Sequence, residues 1–110
     1  MYFKQFIESA LDSLPVFSGP AYSADTGYEH DRRATAADVV RYEIEELGNQ
    51  HQVAPEVMDE LGRIPARKLI WVTTKKSHAR RYGKPEQIQL PTNSRIIAND
   101  PDGGFLVLMV

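Results

Sequence analysis

The hydrophobic pattern of the first residues predicts an amphipathic helix. Large apolar side chains recur at helical spacing from Phe3 to Leu14, and charged residues occupy the opposite side of the helical wheel. Pro15 ends this pattern, because the residue before a proline is disfavoured in helical geometry. The next residues, 16–20, predict a short strand. Residues 21–33 show neither helical nor strand periodicity, which predicts an irregular surface loop.

The pattern between residues 35 and 62 predicts two further helices. Thr35 followed by Asp38 has the form of a capping box at the start of the first of these helices. Gly48 suits the left-handed position that commonly follows a helix. Pro55 predicts the first position of a shorter helix, which Gly62 can end.

The rest of the chain predicts strands separated by one short helix. Residues 68–73 are a buried apolar run, residues 75–82 predict a helix, and residues 87–90 alternate between polar and apolar. Two apolar runs, 95–98 and 105–108, flank an Asp-Gly-Gly sequence that is typical of a hairpin. The apolar ending predicts that the last strand is interior to its sheet. The order of elements predicts the α+β class: a small single domain over residues 1–110, with N-terminal amphipathic helices packed on a mainly antiparallel C-terminal sheet.

Composition narrows the classes of function. The chain has 110 residues, 42% of them hydrophobic, which suffices for one core. It has no cysteine, so disulfides and thiolate metal sites are excluded. No apolar run is long enough to span a bilayer, and the N-terminus lacks the features of a signal peptide. We therefore expect a cytoplasmic protein with no membrane partner; its oligomeric state is not readable from the sequence.

Charge is distributed unevenly along the chain. Residues 1–60 contain 4 Lys and Arg against 12 Asp and Glu, whereas residues 61–110 contain 9 against 3. Almost all of the second group of cations lies between Arg63 and Lys84. Two interpretations stay open. Either the acidic helices and the basic segment pair within the fold, or the basic segment meets a phosphate-bearing ligand or an acidic protein.

The basic segment contains the candidate partner-binding residues. The strand 68–73 passes into the helix 75–82 through two threonines, and free backbone N–H groups at such a junction are a natural place for an anion. The ordinary interpretation is a solvated basic helix with Ala79 and Tyr82 toward the core. Phosphate-loop, dinucleotide-binding and serine-hydrolase motifs are missing, and the three histidines are too isolated for a metal site. The candidate partner-binding residues are Lys75, Lys76, His78, Arg80, Arg81 and Lys84.

Two short motifs near this junction resemble the ADP-ribosyltransferase-like fold. They are Trp71-Val72-Thr73-Thr74 and Ala79-Arg80-Arg81-Tyr82-Gly83, and residues 16–20 look like the first strand of that group. The resemblance covers about a third of the chain. It implies a pocket for NAD or another nucleotide, bordered by Thr73 and Tyr82 with Ser18 and Gly19 opposite.

The sequence also departs from that family. Ser18 stands where the family has an Arg or His that contacts NAD, and Pro20 where Thr or Ser is usual. No glutamate lies on the last strands to serve as the catalytic acid of ribosyl transfer. The resemblance therefore implies a degenerate site, and no catalytic residue is assigned.

Three functions follow, in order of preference. The first is a small non-catalytic binding protein, of the kind that phages and mobile elements use to bind and inhibit a host protein. The alternative is an ADP-ribosyltransferase-like enzyme or a degenerate NAD-binding or nucleotide-binding domain. The third is a single-stranded nucleic-acid binder, which the net charge of −2 disfavours.

Overall fold

A computed structural model of the protein describes residues 9–23, 33–46, 53–81, 83–99 and 103–109. Within these residues five strands form one sheet in the order β3-β1-β2-β5-β4, and every neighbouring pair is antiparallel. The predicted α+β class is confirmed. The last strand lies between β2 and β4, so its predicted interior position is also confirmed. The strands are β1 (Ala21–Ser23), β2 (Leu69–Thr73), β3 (Glu86–Ile88), β4 (Arg95–Asn99) and β5 (Gly104–Leu108).

The helices of the described residues are α1 (Ala36–Glu46), α2 (Pro55–Leu61) and α3 (Lys76–Ala79). Two 3₁₀ turns, Ala10–Ser13 and Ala66–Lys68, precede β1 and β2 respectively.

The capping box predicted at the start of α1 is confirmed. The backbone N–H of Thr35 donates to Asp38 Oδ2 at 2.9 Å, and the N–H of Asp38 donates to Thr35 Oγ1 at 3.2 Å. These bonds satisfy backbone donors that the helix itself cannot pair. Pro55 is the first residue of α2, as predicted. Gly62 ends α2 in a right-handed conformation, with φ −65°, so its φ does not require a glycine, but a Cβ there would lie only 3.3 Å from the Asp59 carbonyl oxygen.

Alternation along β2 and β5 divides the apolar residues between two faces of the sheet. Leu69, Leu106 and Leu108 belong to a buried cluster that also contains Val40 of α1 and Leu61 of α2. On the opposite face a smaller cluster is built on three buried residues, with half-buried apolar residues around it. The three buried residues are Ala21, Val72 and Val107.

Two connections cross the sheet and help to cover this smaller cluster. Residues 17–20 lead from the edge of β4 to β1, and residues 89–94 lead from β3 to β4. They meet where the N–H of Phe17 donates to the carbonyl oxygen of Ser94 at 2.9 Å. The Phe17 ring then contacts Phe105 edge-on, with centroids 5.6 Å apart.

The N-terminal third differs from the prediction. The predicted strand 16–20 is wrong: Val16 makes a single bridge with Arg95, and the strand begins at Ala21, inside the predicted loop. The cause is tertiary, because Tyr22 pairs with Thr73 and the left-handed Gly19 (φ 108°) turns the chain before it.

The predicted helix ending at Leu14 is described only in its last part, which is a 3₁₀ turn, and residues 1–8 lie outside the described residues. The remainder of the predicted loop, residues 24–32, also lies outside them.

Candidate functional site

The helix predicted over residues 75–82 is a single turn, which corrects its length. Its backbone bonds link Lys75 to His78 and Lys76 to Arg80, and a turn follows through Arg81. Gly83 has φ 149° and so helps to end the segment. A helix of four residues has almost no macrodipole. The length of α3 therefore gives no support to an anion site at its start.

Thr73 is the last residue of β2 and connects this strand to the α3 turn. Its side chain is buried, and Oγ1 accepts a hydrogen bond from the N–H of Lys75 at 3.3 Å. Ala79 is buried as well, as the sequence predicted. These contacts pack α3 against β1 and β2, and the long side chains of α3 point away from the sheet.

The predicted partner-binding residues form one continuous segment, which we call the basic face: Lys75, Lys76, His78, Arg80, Arg81 and Lys84. All except His78 are exposed. His78 is half-buried beside Gly103, since an ideal Cβ on that glycine would lie 3.8 Å from His78 Cε1. Across the described ranges, the five exposed cations form no ion pair and no side-chain hydrogen bond.

Two acidic residues of the first half form ion pairs away from the basic face. Arg41 pairs with Asp38 at 3.2 Å, and Arg95 lies 3.9 Å from Asp12. The backbone and side chain of Thr35 lower the pKa of Asp38 by hydrogen bonding. Neither ion pair joins the acidic half to the basic face. The described part of the chain therefore shows no ion pair between the basic face and the acidic residues, whereas Arg63, at the start of the wider basic segment, contributes to the lowered pKa of Glu60 by its charge.

Glu60 of α2 holds the first 3₁₀ turn. Its carboxylate accepts hydrogen bonds from the Ser9 hydroxyl and from the N–H groups of Ala10, at 2.7 Å, and Leu11, at 3.4 Å. The bond from Ser9 is the main cause of the lowered pKa of Glu60. This acidic residue thus has a structural role, which its sequence neighbours did not reveal because Ser9 is distant in the chain.

The residues implied by the family resemblance are only partly brought together. Gly19 lies beside the end of β2, because an ideal Cβ on it would be 3.9 Å from Thr74 Cγ2. Ser18 is exposed next to it. Thr73 is buried, and its Oγ1 accepts the hydrogen bond from the N–H of Lys75. Tyr82 lies outside the described residues.

A cleft that the sequence did not predict lies between the two connections that cross the sheet, residues 17–20 and 89–94. Its volume is about 570 Å³. No sequence signal marks it, because its walls come from distant parts of the chain. Its lining contains no charged residue. The lining residues are Val16, Phe17, Gly19, Pro20, Ala21, Gln87, Ile88, Gln89, Leu90, Pro91, Thr92 and Asn93.

No protein-family model, curated protein or solved structure matches the chain. The resemblance to ADP-ribosyltransferases therefore stays a prediction. In the part of the chain that the structure covers, no group of three or more His, Cys, Asp and Glu side chains could hold a metal ion. No helix of the described residues has the length and apolarity to cross a membrane.

Proposed function

We propose that the protein is a binding module that recognises an acidic protein partner through the basic face. The chain would act as one α+β domain, with its helices on the sheet and its basic face outward. The observation that carries the proposal is the exposure of Lys75, Lys76, Arg80, Arg81 and Lys84 without an ion pair among the described residues. Exposed charges of one sign steer a partner of the opposite sign and increase its rate of association.

The arrangement of these cations does not serve the stability of the fold. Lys76 and Arg80 stand four residues apart across the α3 turn, and like charges at this spacing destabilise a helix by roughly 0.2–0.5 kcal/mol. The turn itself is held by buried Ala79 and by Thr73, neither of which is charged. Binding of a ligand of opposite charge accounts for these cations, whereas the stability of the isolated fold does not.

Binding of acidic peptides tests the proposal. Fluorescence anisotropy with a labelled peptide rich in Asp and Glu is expected to give binding that weakens steeply with salt, because the charges are exposed. Arg80→Glu/Arg81→Glu is expected to abolish it. The matched control is Arg63→Glu/Arg67→Glu, which reverses two exposed cations near the opposite end of β2 and should leave much of the binding intact.

A single-stranded oligonucleotide of equal charge is the competing probe. Tighter binding of the oligonucleotide than of the acidic peptide would favour the nucleic-acid function. Equal binding by the wild type and the Arg80→Glu/Arg81→Glu variant would contradict the role of the basic face.

A second candidate function is a degenerate nucleotide-binding domain of the ADP-ribosyltransferase-like type, with NAD as its ligand. The position of Gly19 beside Thr74 favours it, because the resemblance expects these two segments to face one another. Calorimetric titration with NAD and with ADP-ribose tests it. Absence of heat with both ligands, together with no transfer of label from tagged NAD, would reject it.

A further inference from the structure

The uncharged cleft ends beside the basic face. Gly19 is part of its wall and lies against Thr74, which directly precedes Lys75. On the other wall, Gln87 follows shortly after Lys84 in the chain. One ligand can therefore reach the cleft and the cations together.

The interior of the cleft suits an uncharged, apolar occupant. Half-buried Phe17, Ile88 and Leu90 belong to the smaller apolar cluster of the sheet. Charged residues are 25% of the chain, yet none lines the cleft. A charge placed there would lose water without gaining a partner, which is costly. The exposed amides of Gln87 and Gln89 can hydrogen-bond to a peptide main chain.

The walls of the cleft are held by the protein itself. Ser94 donates two hydrogen bonds to the Pro91 carbonyl oxygen, from Oγ at 2.7 Å and from its N–H at 3.2 Å. Proline at positions 20 and 91 fixes φ in each wall. A cleft with fixed walls loses little conformational freedom when it is filled.

We propose that the partner presents an extended segment in two parts: uncharged apolar residues that lie in the cleft, and adjacent acidic residues that contact the basic face. This inference rests on the proposed function and adds the form of the ligand. A volume of about 570 Å³ is within the range of roughly 300–1,000 Å³ that ligand pockets occupy. Extended peptides use the same combination of main-chain hydrogen bonds and apolar side-chain pockets.

Selection from a displayed library of random peptides against the full chain tests the inference. Enriched peptides are expected to join an acidic run to an uncharged apolar run, and labelled synthetic copies are then measured by anisotropy. Val16→Glu places a carboxylate on the cleft wall at a residue that is 43% exposed. It should weaken binding by about tenfold or more, which corresponds to at least ~1.4 kcal/mol, and leave the salt dependence largely unchanged.

Tyr42→Glu is the matched control. Tyr42 lies on α1 and, with Val16, is one of the two large hydrophobic residues that are exposed among the described residues, with 60% of its surface accessible. Its binding should equal that of the wild type. If circular dichroism shows that Val16→Glu is unfolded, Gln89→Glu at an exposed lining position makes the same test.

The outcomes separate the two proposals. Enrichment of acidic peptides whose binding is insensitive to Val16→Glu and Gln89→Glu overturns this inference and leaves the proposed function standing. Enrichment of apolar peptides that lack acidic residues, and that are weakened by Val16→Glu, contradicts the proposed function. Selected peptides that respond to neither the cleft variants nor Arg80→Glu/Arg81→Glu contradict both.

Discussion

The acidic helical region, which comprises α1 and α2, and the basic face use their charges in opposite ways. Asp38 closes the capping box of α1, and Glu60 holds the 3₁₀ turn that precedes the sheet. Arg80 and Arg81 are exposed and, among the described residues, have no ion-pair partner. Asp38 accepts a backbone N–H at the start of its own helix, and Glu60 accepts N–H groups of a distant turn. The exposed cations of the basic face have no such partner in the described part of the chain. Net charge alone would have hidden this difference.

The largest effect on the free energy of unfolding is expected from a change in the apolar core beneath the acidic helical region. Leu61 of α2 has 0% exposure, and Leu61→Ala should lower the free energy of unfolding by about 2–5 kcal/mol, because it removes buried surface and leaves a cavity. Urea unfolding measures the change. The volume-conserving Leu61→Met should cost less than about 1.5 kcal/mol. Equal losses in the two variants would contradict the assignment of Leu61 to a closely packed core.

Loss of the capping box is expected to have the next largest effect. Thr35→Ala removes the acceptor for the Asp38 N–H and should cost about 1 kcal/mol in the free energy of unfolding. Thr35→Ser keeps the hydroxyl and is the control. If Thr35→Ala unfolds at the same urea concentration as Thr35→Ser, the acidic region does not depend on its cap.

A smaller effect is expected from pH. Hydrogen bonding lowers the pKa of Glu60 in the folded protein, so its contribution is present above the ordinary value of about 4.5 and is lost as pH falls through the lowered pKa. Glu60→Gln should therefore flatten the loss of stability in acid. The change is limited because solvent screens the carboxylate. Thermal unfolding across acidic pH measures it, and an unchanged acid dependence in the variant would contradict the role of Glu60.

The smallest effect on stability is expected at the basic face. Arg80→Glu/Arg81→Glu should change the free energy of unfolding by less than about 0.5 kcal/mol, because these exposed residues form no ion pair in the described part of the chain. Arg95→Gln is the comparison. Arg95 is half-buried and donates to the carbonyl oxygens of Asp12 and Leu14, so its loss should cost more. Comparable losses at both sites would contradict the division between structural and ligand-binding charges.

Elements with strong local signals were predictable from the sequence. The capping residues Thr35 and Asp38 and the proline at position 55 mark α1 and α2, and the apolar runs mark β2, β4 and β5. Ala79 was also correctly assigned to the interior. In each case the information lies within a few residues, since caps and side-chain periodicity act over one or two turns.

β1 could not be found in this way. Ala21–Ser23 carries no strand pattern, and its backbone is held by Thr73 on one side and residues 86–88 on the other. The same pairing brings Gly19 to Thr74 and so places one end of the cleft beside the basic face.

The sequence by itself determined the fold class, the two longer helices and the concentration of cations between Arg63 and Lys84. Tertiary structure alone decided the strand order, the short length of α3, the use of Glu60 as a hydrogen-bond acceptor for a distant turn, and the existence of the cleft. The physical reason is the distance along the chain over which each kind of contact acts. Caps and periodicity are set by neighbouring residues, whereas strand pairing and clefts depend on contacts between segments far apart in the chain.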